Sequence, residues 1–332
     1  MDEYILPGNE DMEISTQIIL REAAARGIQF EILDRPENFI ELIKNGKSEF
    51  IKEASKTRLD SYMTYLVMEN KIVSKKVLST AGLRVPIGDS YSSVNSAKSD
   101  YTKFKNIKKV IKPVTTNFGI GIFISEPNES EEEYLDKVKA ALEFSPSVIV
   151  EEFLNGPEYR FLVLGYKVAA VCNRIPANVV GDNLHTVSEL VDIKNQDPRR
   201  GVGHKTPLEK IQKSNIETEI LKVNGLNWDY IPKQGEIVYL RKNSNISTGG
   251  DSIDVTDLVH PDYFKIAENA ARAVESQICG VDIISESIES LPSSENYGIL
   301  EINFNPVLYI HDFPYEGKNR KVGAKVLDLL GF

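Results

Sequence analysis

Gly298-Ile-Leu-Glu-Ile-Asn-Phe-Asn-Pro306 is the stretch on which the reading of this chain turns. Ile299, Leu300 and Ile302 have the apolar character of a buried strand, yet Glu301 and Asn303 stand two residues apart within it. Side chains at i and i+2 share one face of a strand, so a carboxylate and an amide oxygen converge there. A buried carboxylate is too costly to keep charged without a partner. Oxygen ligands of this kind, one or two per metal, are what Mg²⁺ uses while it holds a nucleotide's phosphates. Upstream, Cys279-Gly-Val-Asp-Ile-Ile284 is a second apolar run with a single acid, Asp282. Two adjacent strands could then offer Asp282, Glu301 and Asn303 to one metal–phosphate cluster. Either motif alone fits equally well with polar edge-strand residues that face water.

The bulk properties restrict the class. A chain of 332 residues can form two or three packed units. Its 41% hydrophobic and 27% charged content is ordinary for a soluble globular protein. A formal charge of −10 argues against general binding to nucleic acid or anionic membranes, though it says nothing about one local pocket. Cys172 and Cys279 each sit inside an apolar run, which suits free thiols of a reducing cytoplasm better than a disulfide framework. The amino-terminal residues lack the basic start and apolar core of a signal peptide, and no apolar run is long enough to span a bilayer. The expectation is a cytoplasmic, soluble protein.

Strands and helices alternate irregularly, which points to an α+β fold. Helical spacing covers 12–26 behind a cap at Asp11, and Gly27 ends it before the alternation of Ile28, Phe30 and Ile32. Residues 45–60 read as a hairpin or loop. A helix runs from about Lys71 to Ala81, strands lie near 107–112 and 120–124, and an acidic helix opens at Ser130-Glu-Glu-Glu133. A strand at 147–152 precedes the turn Asn155-Gly-Pro157, and a hairpin turns at Gly165-Tyr-Lys167. Helices near 186–195 and 261–277 and a strand at 236–241 complete the pattern. The polar segments 196–206 and 242–252 read as long loops, which in a compact domain are usually functional.

Val110-Ile-Lys-Pro-Val-Thr-Thr-Asn-Phe-Gly-Ile-Gly-Ile122 reads as strand, small polar loop, strand. Lys112 lies beside Thr115, Asn117 and the backbone amides that Gly119 and Gly121 leave accessible, a combination suited to phosphate oxygens. It is not a P-loop, because the lysine precedes the glycines and no helix follows; a plain glycine hairpin would look the same. Val148-Ile-Val-Glu-Glu-Phe-Leu154 leads through a turn to Glu158 and Arg160. Backbone groups at such a strand end can read an adenine edge, and a carboxylate can accept both ribose hydroxyls. An acidic surface turn is the competing reading. Arg160, Arg174, Arg200 and Arg241 sit at strand ends or on the polar loops, where guanidinium groups can hold carboxylates and phosphates. Metal ligands and several arginines together suit phosphoryl transfer. The four histidines have no ligand spacing, which makes zinc improbable.

Taken in order, these pieces resemble the ATP-grasp ligases. The resemblance rests on Glu69-Asn-Lys71, Ile111-Lys-Pro113 with its glycine loop, Val150-Glu-Glu-Phe-Leu154 with Glu158, Asp282, and Glu301-Ile-Asn303, and covers roughly residues 65–310. It implies two α+β lobes gripping ATP, at 66–155 and 156–332, behind a lead segment, 1–65. It implies Lys71 and Lys112 at the phosphates or adenine and Glu151, Glu152, Phe153 and Leu154 along the adenine. Glu158 then falls on the ribose, and Asp282, Glu301 and Asn303 on magnesium, with Mn²⁺ as the other candidate ion.

The chain is still more similar to the ATP-grasp half of bacterial bifunctional glutathione synthetases. That similarity is carried by Glu13-Ile-Ser-Thr-Gln17, Arg174-Ile-Pro-Ala-Asn-Val-Val-Gly-Asp182, Leu240-Arg-Lys-Asn-Ser-Asn-Ile-Ser-Thr-Gly-Gly-Asp251, and Asn303-Phe-Asn-Pro306 followed by Phe313-Pro-Tyr-Glu-Gly317. It implies ATP-dependent joining of γ-glutamylcysteine and glycine through an acyl phosphate, with no protein nucleophile. Arg174 and Arg241 would stabilise the developing charge. Arg160, Arg200, Lys205 and Arg241 are the candidate anchors of the acidic substrate. The Ser247-Thr-Gly-Gly-Asp251 turn, with Ser247, Gly249 and Gly250, would form the acceptor pocket, and Asn245 is a further candidate substrate contact. The glutamate–cysteine ligase half has no room here, so a fused or associated ligase domain, a stand-alone enzyme and a homodimer all stay open. Cyanophycin synthetases share the Arg-x-Pro-Ala and Ser-Thr-Gly-Gly segments, and a non-catalytic ATP-binding module is the third reading.

Overall fold

The computed structural model describes residues 4–116 and 120–332. Asn117 and Gly119, at the centre of the glycine loop, lie outside the described residues.

The lead segment contains α1 (Ile14–Ala25) and an antiparallel sheet of β1 (Gln29–Asp34), β2 (Phe39–Lys44) and β3 (Lys47–Lys52). The cap of α1 is Glu13, not Asp11: the Glu13 carboxylate accepts from the Thr16 amide at 3.1 Å, while Asp11 lies too far upstream and pairs with Arg35. Strand β3 falls within the stretch read as hairpin or loop. Its inward positions are Glu49 and Ile51, and the inward glutamate, which accepts from the Arg58 amide, hides the apolar alternation.

Two helices follow, α2 (Tyr62–Glu69) and α3 (Lys71–Thr80). Asn70 caps α3 by accepting from Ile72 and Val73 at 3.1 Å, which puts Lys71 in its first turn. The small lobe comprises β4 (Gly88–Tyr91), α4 (Val94–Ser99), α5 (Tyr101–Phe104), β5 (Lys109–Pro113), β6 (Phe123–Ser125), α6 (Glu131–Leu142) and β7 (Val148–Glu152). Its sheet has the order β4-β7-β5-β6, and α6 buries Tyr134, Val138 and Ala141 against Ile111, Val148 and Val150. A reciprocal Ser130–Glu133 capping box starts that helix.

The large lobe begins with β8 (Glu158–Leu164) and β9 (Lys167–Ile175), turning through Gly165 and Tyr166, both at positive φ. Then come β10 (Asn178–Val180), α7 (Val187–Lys194), β11 (Arg200–Gly201), β12 (Leu208–Glu209), α8 (Asn215–Val223), β13 (Ile237–Tyr239) and β14 (Asp251–Asp254). Helix α9 (Pro261–Ala273), β15 (Ile278–Ser285), β16 (Tyr297–Asn303), α10 (Tyr309–Asp312) and α11 (Val322–Leu329) end the chain. The segment 196–206 is therefore not structureless, since β11 pairs in parallel with β12.

The antiparallel sheet β14-β9-β8-β15-β16 organises the molecule. One face packs Phe161, Val163, Val171, Val281 and Ile283 against α9 residues such as Tyr263 and Ala267, and this core also takes Met68 and Leu78. Helices α2 and α3 thus pack on the large sheet, across the expected boundary at 65/66. The other face buries Leu162, Leu164, Ala170 and Ile278 against α1 and α11, so the lead segment shares that core too. Both cysteines are free and buried, and burial pushes their thiols up to about 12. Among the described residues no helix is long and apolar enough to cross a membrane.

Helix α11 is capped from a distance. The Asp312 carboxylate accepts from the amides of Val322 and Gly323 at 2.7 and 3.3 Å, both bonds buried. Asp312→Ala would leave both amides unpaired, so a loss of about 1–2 kcal/mol is expected, read as a lower urea midpoint at unchanged slope. An unchanged midpoint would contradict this role.

Candidate functional site

The second face of the large sheet turns polar at one end because of strand register. Arg160 on β8 stands opposite Asp282 on β15, which stands opposite Glu301 on β16. Cross-strand partners point to the same side of a sheet, so the three side chains converge. Asp282 is fully buried. Arg160 reaches it through two donors, Nε and, at 2.8 Å, Nη2, and Arg174 on β9 adds Nη2 at 3.1 Å. Burial pushes the Asp282 carboxyl up, but the two guanidinium groups outweigh it and hold the acid below the usual carboxylate range. The Asn303 amide nitrogen lies 3.2 Å from one Asp282 oxygen and 3.3 Å from one Glu301 oxygen.

Asp282, Glu301 and Asn303 are therefore brought together. The Asn303 NH2 donates to one oxygen of each acid. The two carboxylates together with the Asn303 amide oxygen are the oxygen donors that a hard divalent cation prefers, so the residues fit such an ion. Among the described residues no trio of His, Cys, Asp or Glu forms a metal site on its own. An ion here would draw on the amide and on ligand oxygens as well.

The arginines are arranged differently from the sequence expectation. Arg160, expected as a substrate anchor, is buried and committed to Asp282. Arg200, another expected anchor, is also tied within the fold. Its side chain is wholly buried, ion-paired with Asp251, and donates to the carbonyls of Glu209 at 2.7 Å and Gly249 at 3.2 Å. Lys194 and Asn178 hold the other Asp251 oxygen, so Arg200 shapes the loop and is not a free cation. Arg241 donates through Nε to Glu217, buried in the first turn of α8, at 2.5 Å. Arg174 is tethered at Nη2 between Asp282 and Glu158, and its Nε is buried without a hydrogen-bond partner among the described residues. Glu158 also accepts from the Ser244 hydroxyl.

The Ser/Asn/Gly loop is compact. Ile246–Thr248 forms a short helical turn around Ser247, and the Asn245 carbonyl accepts from Thr248 and Gly250. Gly249, at φ 91°, leaves no room for a side chain: a Cβ would sit 2.9 Å from the Ile211 backbone. At Gly250 a Cβ would come within 2.8 Å of the carbonyls of Asn245 and Ile175. Both glycines are required by close packing of the loop on its neighbours.

At the small lobe, buried Glu151 lies between Lys112 and Lys75, each at 2.5 Å. Lys71 donates to the Thr116 carbonyl at 2.6 Å and interacts electrostatically with Glu301, linking the first turn of α3 to both ends of the site. Burial lowers the Lys71 ammonium below the ordinary lysine value, and Glu301 partly offsets this. Thr115 contacts the Ser145 hydroxyl through its amide and its own hydroxyl. At Gly121 a Cβ would meet the Pro113 and Phe144 rings at 2.8 Å. Glu152 accepts from the Ile87 amide and pairs with Arg84, both at 2.6 Å. The Phe153 amide donates to the Lys108 carbonyl, and the Lys108 ammonium lies 4.6 Å from the Phe153 ring centre. Leu154 packs closely over Gly298. The sequence reading missed Lys75, Arg84, Ser244 and Glu217. Lys75 could have been found, because it lies one turn beyond Lys71 on the same helical face.

Burial pushes the Glu151 carboxyl up, but Lys112 and Lys75 more than offset this, leaving it below its ordinary value of 4.5. A depressed acid stabilises the fold above its unfolded value, and that stability is lost as pH falls through the folded value. The stability gap between the wild type and Glu151→Gln should thus be full at neutral pH and close progressively below pH 4.5. Urea unfolding at several pH values checks this, and a gap that persists in acid would contradict it.

Comparison with known proteins adds to this geometry. A profile of an ATP-grasp-like domain matches residues 10–63, inside the segment read as a lead. The chain is 52% identical over 328 residues to a bifunctional glutathione biosynthesis protein of Clostridium perfringens, aligning 99% of this chain with 42% of that protein. It is 49% identical over 330 residues to the protein of the same description from Listeria innocua, with 98% and 42% covered. A crystal structure of a bifunctional glutathione synthetase from Pasteurella multocida matches with a TM-score of 0.82 and 42% identity, over 99% of this chain and 45% of that one. The chain spans about two fifths of the length of these curated relatives. It has an α+β ATP-grasp fold and is, along nearly its whole length, a homologue of one part of the bifunctional glutathione biosynthesis proteins.

Proposed function

We propose that this chain is an ATP-dependent carboxylate–amine ligase that joins γ-glutamylcysteine to glycine, giving glutathione, ADP and phosphate. The observation that carries the reading is the convergence of Asp282, Glu301, Asn303 and Arg174 on one end of a sheet face, with the Lys71 ammonium interacting from α3. The homology over nearly all of the chain supports the choice of substrates.

In this reading Lys71 and Lys112 hold phosphate oxygens, together with Thr115, Gly121 and the loop between them. Glu151 to Leu154 line the adenine, and Glu158 faces the ribose. Asp282, Glu301 and Asn303 would hold Mg²⁺, or Mn²⁺ in its place, which supplies positive charge to the polyphosphate. The substrate carboxylate attacks the γ-phosphorus, an O–P bond forms, and ADP leaves. The glycine amine then attacks the acyl carbon, loses a proton, and inorganic phosphate departs. The Arg174 Nε, buried and without a partner among the described residues, is a donor suited to the oxyanion of that second step. Arg241, held by Glu217, is the second candidate for this task. The relatives' bifunctional character favours a glutamate–cysteine ligase unit, fused or associated, as the supplier of γ-glutamylcysteine. A cytoplasmic location fits this chemistry.

The assay is ADP release by the purified chain with ATP and Mg²⁺. It should require γ-glutamylcysteine plus glycine and should not proceed with a β-aspartyl-arginine primer plus aspartate. Carboxylate-¹⁸O in γ-glutamylcysteine should pass into inorganic phosphate; label retained wholly in the peptide would exclude the acyl phosphate. Glu301→Gln removes a charge at nearly constant volume, so the fold should survive while turnover falls at least about a hundredfold. Full turnover in that variant would remove Glu301 from the mechanism.

A further inference from the structure

Gly280 lies on β15 two residues before Asp282 and on the same sheet face. A Cβ at Gly280 would stand 2.8 Å from Arg160 Cδ and 3.1 and 3.2 Å from its Nη1 and Nε. The missing side chain is thus the niche through which the buried Arg160 guanidinium reaches across to Asp282. Arg174 closes on the same carboxylate and on Glu158. Lys71 interacts with Glu301, the remaining acid of the cluster. Two guanidinium groups thus stand against Asp282 and Glu158, Lys71 acts on Glu301 from beyond ion-pair distance, and the charges of the cluster balance.

A divalent cation entering such a site gives up strongly held water in exchange for ligands whose charge is already balanced. We infer that Arg160, admitted by Gly280, is a positioning residue that makes divalent-cation binding conditional on a nucleotide polyphosphate, which brings the missing negative charge. The inference rests on the nucleotide-dependent ligase reading and adds the order of assembly: the ion arrives with, or after, the phosphates. Removing the Arg160 charge should release Asp282 to bind a cation unaided. A residue that served folding alone would show no such gain.

The test is Mn²⁺ binding to the full chain, followed by water-proton relaxation enhancement, which reports protein-bound ion, with and without ADP. Wild type should bind Mn²⁺ appreciably only when ADP is present. Arg160→Gln should bind Mn²⁺ without ADP about tenfold or more tightly than wild type does. Gly280→Ala, which keeps the charge but closes the niche, should shift in the same direction. Far-UV circular dichroism verifies each fold, and if Arg160→Gln does not fold, Gly280→Ala and Arg174→Gln decide. Wild-type Mn²⁺ binding of equal strength with and without ADP, or no gain in folded variants, overturns the inference. ADP binding by wild type with Mg²⁺ is measured separately. If ADP binds while Mn²⁺ affinity ignores it, only this inference fails. If ADP does not bind at all, the ligase reading beneath it fails as well.

Discussion

The buried Arg160–Asp282 pair is the constraint from which the rest of the site follows. An ionised carboxylate with no exposure to solvent is sustained only by opposite charge and good hydrogen bonds. Here both come from a strand pairing, because the register of β8 with β15 sets arginine against aspartate. A one-residue slip would send each side chain to the opposite face, among Phe161, Val281 and Tyr263. The pair therefore opposes slippage while it fixes the polar end of the sheet. Arg174, Glu158, Glu301 and Asn303 take their places around it.

The same sheet explains why the lobes cannot be read as independent beads. Helix α3 packs Leu78 into the large core yet sends Lys71 and Lys75 to groups of the small lobe, the Thr116 carbonyl and Glu151. On the opposite face, α1 and α11 cover Leu162 and Ile278, and the approach is so close that a side chain on Gly323 would run into Ile18. The first and last helices of the chain thus seal one core, and the lead segment is part of the scaffold that carries the site.

Much of this was legible in the sequence, and the failures have identifiable causes. The Glu301/Asn303 spacing and the lone acid of β15 gave the convergence, because period-two geometry is local and reliable. The α+β class and most elements followed from apolar patterns and caps such as Ser130–Glu133. What could not be read was the partner of each charge. Arg160 and Arg200 look alike in sequence to any arginine on a strand end or polar loop. Only the fold sets Asp282 and Asp251 against them. Strand β3 was read only as part of a hairpin or loop, because an inward glutamate broke the alternation. The Asp11 cap failed because several neighbouring acids compete for one helix start, and only geometry decides among them.

The two cysteines have a consequence for an enzyme proposed to handle a thiol peptide. Thiol–disulfide exchange proceeds through the thiolate. With thiols pushed up to about 12, Cys172 and Cys279 carry little thiolate at neutral pH, about one part in 10⁵. Both are also shielded by the sheet on which they sit. Oxidised forms of the proposed substrate or product would find no reactive sulfur on these strands, so neither cysteine should be capped by the peptide that the chain is proposed to make.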